Sequence, residues 1–221
     1  MEATPTVVLA MWAAGLAAGG ALVVWWRVVG RGYLWLTGGV VAMVGLALAL
    51  TSGSAVAWVG TVLSLAAIIM AGRPQAAAGL LAAAAVMLTI PGLDDSPIVP
   101  LITGAVFLGG VTTEMMLGHW FLVDPKLPRW SLNRLAVVGG IGLALDAAYL
   151  LTQGLVSGAT DDAIFGWAYA ALAVMTALLI VGVIFSLKEP SYTGVMAATG
   201  LSYLAVLTAF GVAVVGRMLI A

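Results

Sequence analysis

The stretch AVAWVGTVLSLAAIIMAGRPQAAAGLLAAAAVMLTIPG, residues 55–92, decides how this chain is read. It is apolar on both sides of Gly72-Arg73-Pro74. Read as one kinked helix, it crosses a bilayer once. Read as two helices separated by a turn, it crosses twice, and every later element changes sides. Proline either ends or bends a helix, so the local residues alone permit both readings.

Charge elsewhere in the chain decides between them. A spanning helix needs ~20 largely apolar residues, and with the break read as a turn eight stretches qualify, at approximately 6–26, 33–51, 55–72, 75–92, 98–121, 134–155, 163–186 and 193–216. Lys and Arg collect in cytoplasmic loops. Under this reading one side receives Arg27, Arg31, Arg73, Lys126, Arg129, Arg134 and Lys188. The other receives Glu2, Asp94, Asp95, Asp161 and Asp162, with Arg217 as the basic exception. Random placement rarely puts seven of eight bases on one side. The sequence therefore predicts an all-α, polytopic integral membrane bundle of eight transmembrane helices with both termini outside the cytoplasm. Residues 1–221 form a single transmembrane domain in this reading, set in a bacterial or archaeal cytoplasmic membrane.

Composition points the same way. The 221 residues are 63% hydrophobic and 8% charged, against roughly 25% charged in soluble domains. Such a chain cannot cover a water-facing surface, and its first expected partner is the lipid bilayer. Twenty-eight glycines suit helices that must approach closely without a hydrophobic drive. The net charge of −1 and the lack of a basic–aromatic patch argue against nucleic acid. With no cysteine, disulfides, iron–sulfur clusters and thiol chemistry are excluded for this chain. The opening MEATPTVVLAMWAAG carries an acid and no base before its apolar run, unlike a cleaved signal peptide, and is read as a retained helix.

The connections are short and leave no soluble domain. The longest internal one, residues 123–133, mixes prolines, bases and Trp130, as suits a segment at headgroup level. Trp25, Trp26, Trp35 and Trp120 fall near the same helix ends and read as an interfacial belt. A weak echo links LTGGVVAMVGLALAL (36–50) with VVGGIGLALDAAYLL (137–151). It allows a parallel repeat of two four-helix halves, as some transporters use, although glycine- and alanine-rich helices resemble one another by composition alone.

Two acids fall inside predicted spans, Glu114 in the fifth and Asp146 in the sixth. Burying a carboxyl in a bilayer is expensive, so each is a functional-site hypothesis. Neither has Lys or Arg within its own helix core, and both are expected to be protonated. Gly139, Gly142, Asp146, Tyr149 and Gln153 make one helical stripe, and Thr103, Phe107, Gly110, Glu114 and Gly118 another. Small and polar stripes pack against helices, not lipid. Counting from Leu122 and Arg134 at 1.5 Å per residue places the two acids ~6 Å apart in depth. That spacing allows a water- or hydroxyl-bridged proton-handling pair. The plain alternative is two protonated carboxyls acting as interhelical hydrogen-bond glue.

The single histidine, His119, shares a face with Met115 and Met116. Haem iron or copper accepts such ligands, but partner ligands are missing, so no metal is expected there. A quinone site fits better, with His119 and Glu114 as proton acceptors, Trp120 as an aromatic wall and Lys126 on the polar rim. The candidate proton-handling or quinone residues are thus Glu114, His119, Asp146, Tyr149, Trp120 and Lys126. The carboxylate pairs Asp94-Asp95 and Asp161-Asp162 read as topology signals or helix-end charges. No catalytic motif is visible, including nucleophile elbow, zincin and phosphate-loop patterns, so catalysis by this chain alone is not expected. The leading functional expectation is a membrane subunit of a larger, quinone-linked electron-transfer complex, with other membrane subunits or copies of itself as partners. The alternative is a proton-coupled small-molecule transporter or channel.

Overall fold

The computed structural model describes residues 5–153 and 163–220, so Glu2, Asp161 and Asp162 lie outside the described residues. All regular structure within them is helical. The elements are α1 (Pro5–Trp25), α2 (Arg31–Ser52), α3 (Ala55–Ile69), α4 (Pro74–Thr89), α5 (Ile98–Trp120), α6 (Arg129–Thr152), α7 (Ala163–Ser186) and α8 (Tyr192–Ile220). Short 3₁₀ turns, Met70–Gly72 and Ile90–Asp94, extend α3 and α4. With these turns included, eight helices among the described residues are long and apolar enough to cross a membrane.

Gly72-Arg73-Pro74 is a turn, not a kink. The 3₁₀ turn ends at Gly72, Arg73 leaves helical geometry, and Pro74 opens α4, where its missing N–H costs nothing. α4 then folds back along α3, with Gly60 against Leu88. The end of α2 is set similarly by local chemistry. Gly53, at φ 64°, donates its N–H to the Ala49 carbonyl, a left-handed cap that glycine adopts without strain.

Packing divides the helices into two rings of four. α1 neighbours α2 and α4, which both neighbour α3. In the same way α5 neighbours α6 and α8, which both neighbour α7. The rings meet where α1 runs parallel to α5. There Gly15 lies on the backbone of Ala105 and Gly109, and a Cβ on either glycine would strike main-chain atoms. α1 and α5 are accordingly the most enclosed helices, with 67% and 61% of their spans buried against 22% for α7.

The outer surface is apolar, from Ile69 and Val62 on α3 to Leu178 on α7 and Leu207 on α8. Buried sites include Ser64, Thr176, Ser202, Glu114 and Asp146. Apolar outside with polar groups turned inward is the reverse of a water-soluble bundle and is consistent with an integral membrane protein.

The basic connections gather at one end. Arg31 approaches Gly72, Trp26 packs on Trp130, and Arg129 donates to the carbonyls of Glu189, Pro190 (2.6 Å) and Ser191 (2.9 Å). These contacts bring the α1–α2, α3–α4, α5–α6 and α7–α8 connections together, and we call this the basic end. Asp94 and Asp95 lie at the opposite end, where Gly92 meets Ala10 and Leu101.

Candidate functional site

The register of α5 on α6 fixes where the two buried acids go. Gly110 sits on Gly139, the Phe107 backbone on Gly142, and Thr103 on Asp146. The residue numbers in each pair have the same sum, as an antiparallel pair in constant register requires. Extending this register, the α6 residue level with Glu114 is Leu135. Thr103 and Glu114 are eleven residues apart, so the two acids are separated by ~16 Å along the bundle.

The expected bridged pair is therefore not formed. The error came from where α6 begins. Arg129 through Asn133, read from sequence as connection, form the first turns of α6. That carries Asp146 farther from the basic end than a count from Arg134 gives. Measured from the nearest helix ends, Glu114 lies six residues from Trp120 and Asp146 six from Thr152, each ~9 Å deep but at opposite ends.

Asp146 also has a cationic partner, contrary to the expectation from its own helix. Arg217, assigned from sequence to the outer side just past the eighth span, lies in the last turns of α8 and is buried. Its guanidinium forks onto the carboxylate, Nη2 to Oδ1 at 2.7 Å and Nη1 to Oδ2 at 3.1 Å. Thr103 Oγ1 donates a third bond to Oδ1 at 2.7 Å. Arg217 Nη2 further donates to the Pro100 carbonyl at 2.7 Å and touches Met11 Sδ at 3.1 Å. This knot ties α1, α5, α6 and α8 together. The bidentate geometry is the strongest ion-pair arrangement available to Arg, and the pair is neutral as a whole. Its signal in the sequence was the apolar tail after Arg217, Met-Leu-Ile-Ala, which lets α8 continue past the expected end at 216.

Glu114 stands in a different setting. Oε2 is hydrogen-bonded to Ser202 Oγ on α8, while Oε1 is buried without a partner among the described residues. Ser202 Oγ also lies 2.8 Å from the Ala198 carbonyl. A serine hydroxyl carries one proton, so it cannot donate to both. When Glu114 is protonated, it donates to Ser202, and Ser202 donates to Ala198. When Glu114 is ionised, Ser202 turns to the carboxylate and the Ala198 carbonyl loses its side-chain bond. The proton on Glu114 thus sets the direction of a hydrogen-bond relay in α8. The small side of Gly118 against Thr199 lets α8 come this close.

Between the acids the interior of the second ring is apolar, filled by Phe107, Val111, Leu143, Ile180, Ala205 and Ala209. A hydroxyl pair, Thr176 and Thr208 at 2.8 Å, crosses it.

The remaining predicted site residues do not converge on Glu114. His119 is exposed on another face of α5, with Nδ1 2.9 Å from the Tyr203 hydroxyl of α8. This pair helps line a cavity of about 220 Å³ with Trp12, Leu16, Val40, Met115, Met116 and Val206 among others. Trp120 turns away from it and packs edge-on against Tyr33, ring centroids 6.0 Å apart. Lys126 is exposed in the α5–α6 connection. Tyr149 is half-buried one turn beyond Asp146. Sequence reasoning missed Ser202, Tyr203 and Arg217, all on α8, because nothing local marks which of its polar residues meets α5 or α6. Comparison with protein-family models, with curated proteins and with solved structures finds no match for this chain.

Proposed function

We propose that this is a proton-handling protein of a bacterial or archaeal cytoplasmic membrane, a proton-coupled small-molecule transporter or channel in which Glu114 is the carboxyl that exchanges its proton. One observation carries the reading: among the described residues Glu114 is buried with one oxygen unpartnered and no cation bonded to it, so no ion pair fixes its protonation state. Asp146, bonded through both oxygens, is held by Arg217 as a fixed neutral strut. Intramembrane carboxyls mark proton relays in pumps and transporters.

In this reading the basic end faces the cytoplasm, because seven of the eight Lys and Arg residues belong to it, and both termini lie on the other side. Residues 1–221 act as one transmembrane domain. The shared neighbour order of α1–α4 and α5–α8 supports a parallel repeat of two four-helix units, with only the second carrying buried acids. The protein has no cysteine, so single cysteines at Arg73 and Asp95 can be tested with a membrane-impermeant maleimide. Labelling from the same side would overturn the orientation. For the activity, vesicles holding the purified protein and a pH-sensitive dye report proton entry. Glu114→Gln should abolish it, and unchanged entry discards the proposal.

A second reading, a membrane subunit of a quinone-linked complex, is favoured by the His119–Tyr203 pair at the apolar cavity. A ring bearing carbonyls would find a polar tip and apolar walls there. Quinone-dependent quenching of Trp12 fluorescence, lost in Tyr203→Phe, tests it.

A further inference from the structure

Three buried hydroxyls lie between α1, α2 and α5 with no hydrogen-bond partner among the described residues: Tyr33 Oη, Thr37 Oγ1 and Thr113 Oγ1. Buried hydroxyls are nearly always satisfied, and one left bare is costly. Other buried helical threonines follow the rule. Thr61, Thr112, Thr176 and Thr199 each donate to the carbonyl four residues earlier. Thr37 and Thr113 do not, so their hydroxyls stay free for another partner.

Their places are related. The Thr113 hydroxyl faces Gly19, and the Thr37 methyl faces Gly20, successive residues of α1 that present no side chain. Thr37 also sits beside the Tyr33 hydroxyl without the geometry of a hydrogen bond. Tyr33 lies two residues inside α2 from the basic end, ~3 Å deep, whereas Thr37 and Thr113 lie ~9–10 Å deep. That is the depth of Glu114, whose unpartnered Oε1 is the fourth bare oxygen of the layer. Tyr33 Oη is within electrostatic range of that carboxyl. The four oxygens therefore lie between the rim and the acid, and bridging waters are the partners that would satisfy them.

We propose that this α1–α2–α5 seam binds a short file of water and is the path by which Glu114 exchanges protons with the basic end. This rests on Glu114 being the exchanging carboxyl. In each hop an oxygen accepts one proton and releases another, so each hydroxyl and water ends unchanged. The net transfer is one proton between bulk water and the Glu114 carboxyl, with no redox step.

Hydrogen–deuterium exchange at the carboxyl tests the path separately from transport. The protonated-carboxyl C=O band of Glu114 is recorded by infrared spectroscopy on the purified full chain in vesicles, at a pH that populates it, and identified by its loss in Glu114→Gln. After transfer to D2O, Thr37→Val and Thr113→Val should each slow its isotope shift about tenfold, the change that one lost hydrogen bond at the barrier produces. Thr112→Val, whose hydroxyl is already satisfied, should leave the rate alone. Gly19→Ala should slow exchange further if it folds; the two near-isosteric valine variants keep the test valid if it does not. Wild-type exchange rates in both valine variants, with proton entry still lost in Glu114→Gln, overturn the seam and leave the carboxyl reading standing. A Glu114 band that never exchanges in the unaltered protein overturns both.

Discussion

The two ends of the second helix ring each bury one acid at the same depth, yet treat it in opposite ways. At the acidic end Asp146 accepts three bonds, two of them from Arg217, and has no freedom left. At the basic end Glu114 has a single serine and a bare oxygen. Burial alone therefore does not say whether a membrane carboxyl is structural or exchangeable. The number and charge of its partners does. An acid locked to a guanidinium holds helices together, whereas an acid with one serine partner can change state by redirecting a single hydroxyl.

Removing one partner of the locked pair should have the largest effect. Arg217→Met leaves Asp146 as an uncompensated buried charge, which costs about 3–5 kcal/mol. The midpoint of unfolding in detergent and denaturant should fall accordingly. Replacing both, Asp146→Leu with Arg217→Met, should recover most of that loss; a double variant no better than the single would break the comparison at its first term. Next comes the register that separates the acids. Gly110→Leu forces a side chain into the Gly139 backbone and should cost about 1–3 kcal/mol by overpacking, with α5–α6 cross-linking patterns shifted.

The free acid should behave otherwise. Glu114→Gln keeps shape and can keep its bond to Ser202, so stability should change by less than about 1 kcal/mol while proton exchange disappears. A Glu114 variant as unstable as Arg217→Met would show that both acids are structural. The smallest effect belongs to the exposed His119–Tyr203 pair. Tyr203→Phe removes one interhelical bond to His119, worth ~0.6 kcal/mol, and should not alter proton exchange at all.

Much of this was legible in the sequence. Eight apolar segments and the concentration of bases in alternate connections followed from composition and spacing, since a bilayer imposes both a length and a charge bias on each crossing. The inward stripes were partly visible: Gly110, Gly118, Gly139 and Gly142 are buried as their periodicity predicts, whereas Gln153, placed in the same stripe, is exposed at the end of α6. What failed was depth. Five residues at the start of α6 looked like loop because they follow Pro125 and Pro128 and include Arg129, Trp130 and Asn133. Proline is nonetheless well placed just before a helix, and the extra turn moved Asp146 out of reach of Glu114. Arg217 was misplaced for a related reason: a base near a chain end reads as a loop residue until a buried carboxylate is known to face it.

By itself, the sequence determined the class of molecule, the number of apolar helices and the faces they turn inward, because these depend on residue type and on periods of a few residues along one helix. Only the tertiary structure decided which acid is locked and which is free. That choice depends on α8 laying Ser202 and Arg217 against residues 88 and 71 positions away, and no period within a single helix encodes the register between helices so distant along the chain.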